Sequence, residues 1–186
     1  MAIIVILAIA AILVLWLISL YNRIIRLRNR RENAFADIDV QLRQRHDLVP
    51  QLVETVKGYA AHERELLTRI TEARAAAIQA GTIDEKIKAE TTLGNALQGL
   101  KIAVENYPDL KANQNFLQLQ EELSDIENKL AAARRFFNAA TAEYNTGIET
   151  FPSNIIASNF GFKRETIFDP GPEKRGQLEE PPTIKF

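Results

Sequence analysis

The sequence predicts an all-α protein: an N-terminal transmembrane helix that continues into an antiparallel, up-down four-helix bundle of long, coiled-coil-like helices, followed by an extended tail. Three observations lead there. Ala2 to Leu20 carries no charged side chain, and Ser19 is its one polar residue. From Ile24 to Tyr144, apolar residues recur at spacings of three and four, the period of one helix face. Four of the seven prolines (Pro170, Pro172, Pro181, Pro182) then fall in the last stretch of chain. The boundaries that follow are 2–21 for the transmembrane helix, 22–151 for the bundle and 152–186 for the tail.

Nineteen residues rising about 1.5 Å each span roughly 28 Å, close to the ~30 Å hydrocarbon core of a bilayer. Ala8 and Ala10 mimic a signal-peptidase site. Cleavage there would leave too short an apolar region, and no basic segment precedes it, so an uncleaved anchor is expected. Arg23, Arg26, Arg28, Arg30 and Arg31 follow the span directly. The positive-inside rule keeps them, and the bundle, in the cytoplasm with the N-terminus outside. Trp16 and Tyr21 suit the interfacial aromatic belt, and the arginines are placed to act as a topology signal and to hold anionic lipid headgroups.

Neither Pro nor Gly interrupts Tyr21 to Val49, so the membrane helix runs without a break into the first helix of the bundle. Ile24, Leu27, Ala34, Ile38 and Leu42 form its stripe, widened by Phe35, and Arg43, Arg45 and His46 fall in the expected last turn. Asp47 is the expected N-cap of a second helix, with Pro50 in its first turn. That helix carries the stripe Leu52, Val56, Tyr59, Glu63, Leu66, Ile70, Ala73 and Ala77 and ends near Gly81. Thr82 and Glu85 have the spacing of a capping box for a third helix, whose stripe runs from Leu93 to Tyr107 and which Pro108 ends. The fourth, from Asp109 to Thr150, has the longest stripe, from Phe116 to Tyr144, and Phe151-Pro152 closes it. Six of nine phenylalanines lie between Phe136 and Phe168, so Phe160 and Phe162 pack on the bundle end, the bilayer interface or a neighbouring subunit.

Charge and composition point away from several chemistries. The formal charge of −1 on 186 residues gives no global field for nucleic acid. Without cysteine there is no disulfide, thiol nucleophile or thiolate metal site. His46 and His62 are the two histidines, and neither completes Glu-x-x-His or His-Glu-x-x-His, so no metal or cofactor is expected. His62 reads as a surface side chain. Asp37 and Asp39 point to different sides of a helix; Asp39 can meet Arg43, and Glu54 can meet Lys57, as helix-surface pairs. No phosphate loop or nucleophile elbow is present, and an enzyme is not expected.

Several runs carry a family resemblance. They are Tyr21-Asn22-Arg23 with Leu27-Arg28-Asn29-Arg30, Ala36 to Leu42, Arg45-His46-Asp47-Leu48-Val49-Pro50 and Leu52 to Tyr59. Near the other end stand Ala133-Arg134-Arg135-Phe136-Phe137-Asn138, Tyr144-Asn145, Phe151-Pro152-Ser153-Asn154 and Gly161-Phe162. Together they resemble the LemA family of bacterial membrane proteins, with Phe35 and Phe137 where Trp and Tyr are more usual. The resemblance implies a single-pass protein of the bacterial inner membrane with a cytoplasmic helical bundle. It also implies links to envelope stress and membrane organisation, including the shaping of magnetosome membranes, without supplying a reaction. Asp37, Asp39, Asp47, Glu54, Lys57, Arg134, Arg135 and Asn145 then either build an interface or cap and staple helices, and Phe136, Phe137, Phe160 and Phe162 join them as interface candidates.

The expected function is a membrane-anchored scaffold, a homo-oligomer that docks partners at the inner membrane face and organises or shapes the bilayer. The alternative is a monomeric or dimeric signalling or stress adaptor holding one membrane or cytoplasmic protein.

Overall fold

In the computed structural model, residues 1–60 and 63–168 are described. They form six helices: α1 (Ala2–Lys57), α2 (Arg64–Gln79), α3 (Ile83–Val104), α4 (Pro108–Lys111), α5 (Gln114–Glu149) and α6 (Ser153–Asn159). Among the described residues there is no strand, and the fold class is all-α. The chain divides into two compact units, one made of residues 1–39 with 131–167, the other of 40–130 with Phe168. Helices α1 and α5 contribute to both. His62 and the four prolines of the tail lie outside the described residues.

In the first unit, none of the other described residues covers the start of α1: the apolar window of this helix is wholly unburied, with Trp16 among its exposed side chains. Burial begins at Ile24. There α1 runs antiparallel to the second half of α5, and Ile24, Tyr144, Ile148, Ile156 and Ala157 close into one apolar cluster flanked by Leu20, Tyr21, Leu27 and Phe162. Phe35 meets Phe137 edge-on at 5.5 Å between ring centroids, a favoured aromatic geometry.

The chain after Phe151-Pro152 is not extended at once. Helix α6 turns Ser153, Ile156 and Ala157 inward and ends in a Schellman turn: Phe162 N–H donates to Ala157 O at 2.9 Å and Gly161 N–H to Ser158 O at 3.4 Å. Gly161 has φ 72°, a left-handed conformation that only glycine adopts without a Cβ clash. The extended segment comes next and is tied down. Asn145 accepts from Glu165 N–H through Oδ1 and donates to Glu165 O through Nδ2, both at 2.9 Å, and the Tyr144 hydroxyl donates to Lys163 O at 3.2 Å.

The core of the second unit draws on the apolar stripes of α1, α2, α3 and α5: Val49, Leu52 and Val56; Leu67, Ile70 and Ala73; Leu93, Leu97 and Leu100; Phe116 and Leu119. The capping box of α3 forms as expected. Thr82 Oγ1 accepts from Glu85 N–H at 3.2 Å, and the Glu85 carboxylate accepts from the Thr82 and Gly81 amides at 3.0 Å each. The amides of Thr82 and Gly81 hold that carboxyl below its usual range.

Two boundaries depart from expectation. Asp47 is not an N-cap: α1 continues through Pro50 and ends at Lys57, and α2 begins at Arg64, because the carbonyl that Pro50 leaves unbonded finds another donor in Arg74. The expected fourth helix is divided into α4 and α5. Asn113 Oδ1 accepts from Phe116 N–H at 3.0 Å, a side-chain cap that starts α5 afresh. Gly161→Ala should cost about 1–2 kcal/mol of folding stability through the left-handed φ, read as a lower urea midpoint, with faster amide exchange in residues 157–166.

Candidate functional site

The most concentrated polar chemistry lies inside the second unit. Arg45 follows Ile38 and Leu42 and precedes Val49 and Leu52 on the apolar stripe of α1, so the helix period carries its guanidinium into the core. Glu90 holds the equivalent place on α3, three residues before Leu93 and seven before Leu97. Each is 1% exposed.

An ionised group removed from water costs several kcal/mol unless a partner compensates it, and here the partners converge. Arg45 Nη2 donates to Glu90 Oε2, and Arg45 Nη1 donates to Glu127 Oε1 of α5 at 2.6 Å. His46 Nε2–H, from the next position of α1, donates to Glu90 Oε1 at 2.6 Å. Both Glu90 oxygens are therefore occupied. Arg45 Nε has no acceptor, so its pairing rests on the two terminal nitrogens. Burial pushes the Glu90 carboxyl up, but the His46 hydrogen bond and the Arg45 and His46 charges outweigh it and hold the group below its ordinary value.

Helix α2 joins through the backbone. Pro50 has no N–H to offer the carbonyl four residues earlier, which belongs to His46, and an interior proline ordinarily breaks a helix at a cost of about 3 kcal/mol. Arg74 supplies the missing donor, its Nε to His46 O at 2.7 Å. Four helices thus meet at Arg45-His46, through Arg74, Glu90 and Glu127. The reactive atoms face one another, so the arrangement can fix helix register and hold a proton-sensitive charge.

The first unit repeats the pattern with different partners. Arg31, on the same stripe between Ile24 and Ile38, is 4% exposed. Its Nη2 pairs with the Glu165 carboxylate at 3.1 Å and donates to Thr166 O at 3.4 Å, and its guanidinium lies 5.0 Å from the Phe137 ring centroid.

The residues singled out from sequence divide between surface and interior. Arg23, Arg26, Arg28 and Arg30 are exposed, whereas Arg31, grouped with them as a headgroup ligand, is buried in the pairing just described. Arg30 reaches Glu143 at 2.6 Å and the Phe136 ring at 6.0 Å, and Arg28 stands 6.0 Å from the Phe162 ring. Tyr21 contacts Phe160 and Phe162, at 4.9 and 5.9 Å between centroids. Asp37, Asp47 and Arg135 are exposed, and Asp39 and Arg134 are half-buried. Glu54 and Lys57 form the expected surface pair at 3.4 Å. Phe137 and Asn145 are interior, Phe137 in the core and Asn145 clasping residue 165, while Phe136 is half exposed.

Sequence reasoning missed Glu90, Glu127 and Arg74, and treated Arg45 and His46 as helix-end cations. A signal existed for Arg45 and Glu90, since each is a charge at a stripe position, which requires a partner of opposite sign. Arg74 and Glu127 flank their stripes and carry no comparable mark.

Two expectations follow. Arg74→Met should lower stability by about 1–3 kcal/mol by leaving the His46 carbonyl unpaired, and adding Pro50→Ala should recover most of it in urea unfolding, because alanine restores the native donor. The second concerns acid. Because the folded Glu90 carboxyl lies below the unfolded one, its contribution is complete above the ordinary glutamate pKa of about 4.3 and is lost as pH falls through the folded value. The stability gap between the native chain and Glu90→Gln should therefore narrow as the pH of the unfolding measurement drops from 6 toward about 3. A gap of constant size would contradict the assignment.

Comparison with known proteins places the chain in a family. The chain is 27% identical over 151 residues to Protein LemA of Metamycoplasma hominis, covering 79% of this chain and 68% of that protein. It is 25% identical over 182 residues to Magnetosome protein MamQ of Magnetospirillum gryphiswaldense, covering 84% and 67%. Magnetosome protein MamQ 2 of Paramagnetospirillum magneticum is 24% identical over the same shares. Residues 34–186 match the model of the LemA family, and with most of its length inside that match this membrane-associated helical chain belongs to the LemA family.

Proposed function

We propose that this chain is a membrane-anchored helical scaffold that self-associates and docks partners at the inner face of the bacterial cell membrane. The observation that carries the reading is α1. Its apolar window is unburied by protein, while its later turns supply the stripe on which packed helices assemble. A helix that leaves an apolar window of some eighteen residues unburied by any other described residue needs a bilayer around it.

The work of such a protein is geometric. The buried charges of Arg45 and Glu90 are taken up by each other, with His46 hydrogen-bonded to the same carboxylate, so these residues stiffen and register the helices. Exposed arginines after the span, Arg23, Arg26, Arg28 and Arg30, hold anionic headgroups at the cytoplasmic face. Copies set side by side then impose order or curvature on the membrane. The relatives named as magnetosome proteins support a part in membrane organisation, and support of the envelope under stress is the physiological setting this reading assigns.

Mass photometry of the full-length protein in lipid nanodiscs and mild detergent, at several concentrations, should show, after subtraction of the empty disc or micelle, protein masses that are multiples of the 21.0 kDa chain mass and grow with concentration. A monodisperse monomer throughout would overturn the scaffold, and a single stoichiometric partner recovered with that monomer would favour an adaptor.

A further inference from the structure

Within ten residues of chain, the first unit leaves three large apolar side chains on its surface: Phe151, Ile155 and Phe160, exposed 80%, 54% and 65%. Single exposed hydrophobic residues are ordinary, but a cluster on one short turn of chain calls for a partner. The neighbours Ser153, Ile156 and Ala157 are buried, so α6 has already used one side for the core.

The depth of this cluster is set by the register of α1 against α5. Phe137 stands against Phe35. Gly147 stands so close to Leu27 that a Cβ there would come within 2.5 Å of Leu27 Cδ1, and Ile148 clusters with Ile24. Each turn toward the end of α5 is thus a turn back along α1 toward the apolar span. Carried two residues past the end of α5 at Glu149, the same register sets Phe151 toward the level of Tyr21 to Arg23. Phe160 reaches the same level independently, its ring 4.9 Å from that of Tyr21, the first residue after the apolar run. The Schellman turn at Gly161 fixes the chain just after it.

We infer that the turn from Phe151 to Phe160 is a second membrane contact, seated in the interfacial layer of the bilayer beside the exit of α1. This rests on α1 spanning the bilayer. The occupant is lipid because the patch adjoins the span, with Phe160 packed on Tyr21, the residue that directly follows the apolar run. The chemistry around it also matches a headgroup layer: Asn154, Ser158 and Asn159 are exposed on α6, and the exposed cations include Lys163, three residues after Phe160, and Arg23 and Arg26, which follow Tyr21 on α1. Apolar side chains reach below the phosphates while amides and cations stay among them. A lone helix is free to rotate about its axis and to tilt; a second contact on one side removes that freedom and fixes which face of the cytoplasmic helices looks along the membrane.

The chain has no cysteine, so single-cysteine variants report unambiguously. Full-length Phe151→Cys, Ile155→Cys and Phe160→Cys, each carrying an environment-sensitive fluorophore, would be placed in phosphatidylcholine–phosphatidylglycerol vesicles. Leu13→Cys marks the span and Ile102→Cys an exposed position of the second unit. The three turn labels should emit to the blue of the Ile102→Cys label and lose most of their intensity to lipids bearing a nitroxide just below the headgroup. Emission matching Ile102→Cys, with the Leu13→Cys label immersed, would overturn this contact and leave the span intact. A blue-shifted label that the lipid quencher does not reach would mean protein covers the patch, a second copy for example, and would also overturn it. A Leu13→Cys label in water would remove the span and this contact together.

Discussion

An arginine whose neighbours three and four residues away are apolar has no choice of side. The helix period carries it into the interior, and the rest of the fold must bring acceptors to it. This happens twice along α1, at Arg31 and at Arg45, each within its own unit. Arg31 is met by the Glu165 carboxylate and the Thr166 carbonyl, and Arg45 by Glu90 and Glu127. Guanidinium suits both places, because its planar fork offers several donors and it stays charged at any physiological pH.

Such pairs add little net stability over well-packed apolar residues, since desolvation offsets most of the attraction, but breaking one leaves a buried charge without compensation. Their effect is therefore on choice among alternatives. Apolar stripes of Leu, Ile and Ala can slide past one another by a turn at modest cost, whereas Arg45, His46 and Glu90 meet in one register only. Arg74 closes the same point from the backbone side by taking the carbonyl that Pro50 abandons. That donor lets α1 continue to Lys57. For a protein whose proposed task is to hold a fixed geometry at a membrane, a single register matters more than extra stability.

Much of this was legible because it is local. The apolar run, its arginine flank, most of the stripe positions and the Thr82-Glu85 capping box depend on residues within a few positions of each other and are present; the second stripe is divided between α1 and α2, with Tyr59 exposed between them. What was not legible depends on residues far apart in sequence. Pro50 reads as a helix start until Arg74 is known to serve the His46 carbonyl. Glu90 reads as surface until Arg45 and His46 are known to face it. Asn145 reads as a polar motif position until residue 165 lies against it. Helix α6 escaped notice because seven residues are too few for periodicity to show. Both buried charges nonetheless sat on stripe positions, and that register is the sequence mark of the site.

The most direct measurement is a double-mutant cycle between Arg45→Met and Glu90→Gln, read by urea unfolding near neutral pH. A buried pair that fixes register should show coupling of about 2–3 kcal/mol, with the double variant more stable than the two single losses added together imply. Single losses that add to within about 0.5 kcal/mol would contradict a shared buried site for Arg45 and Glu90, and with it the role assigned to that site in holding α1, α2, α3 and α5 together.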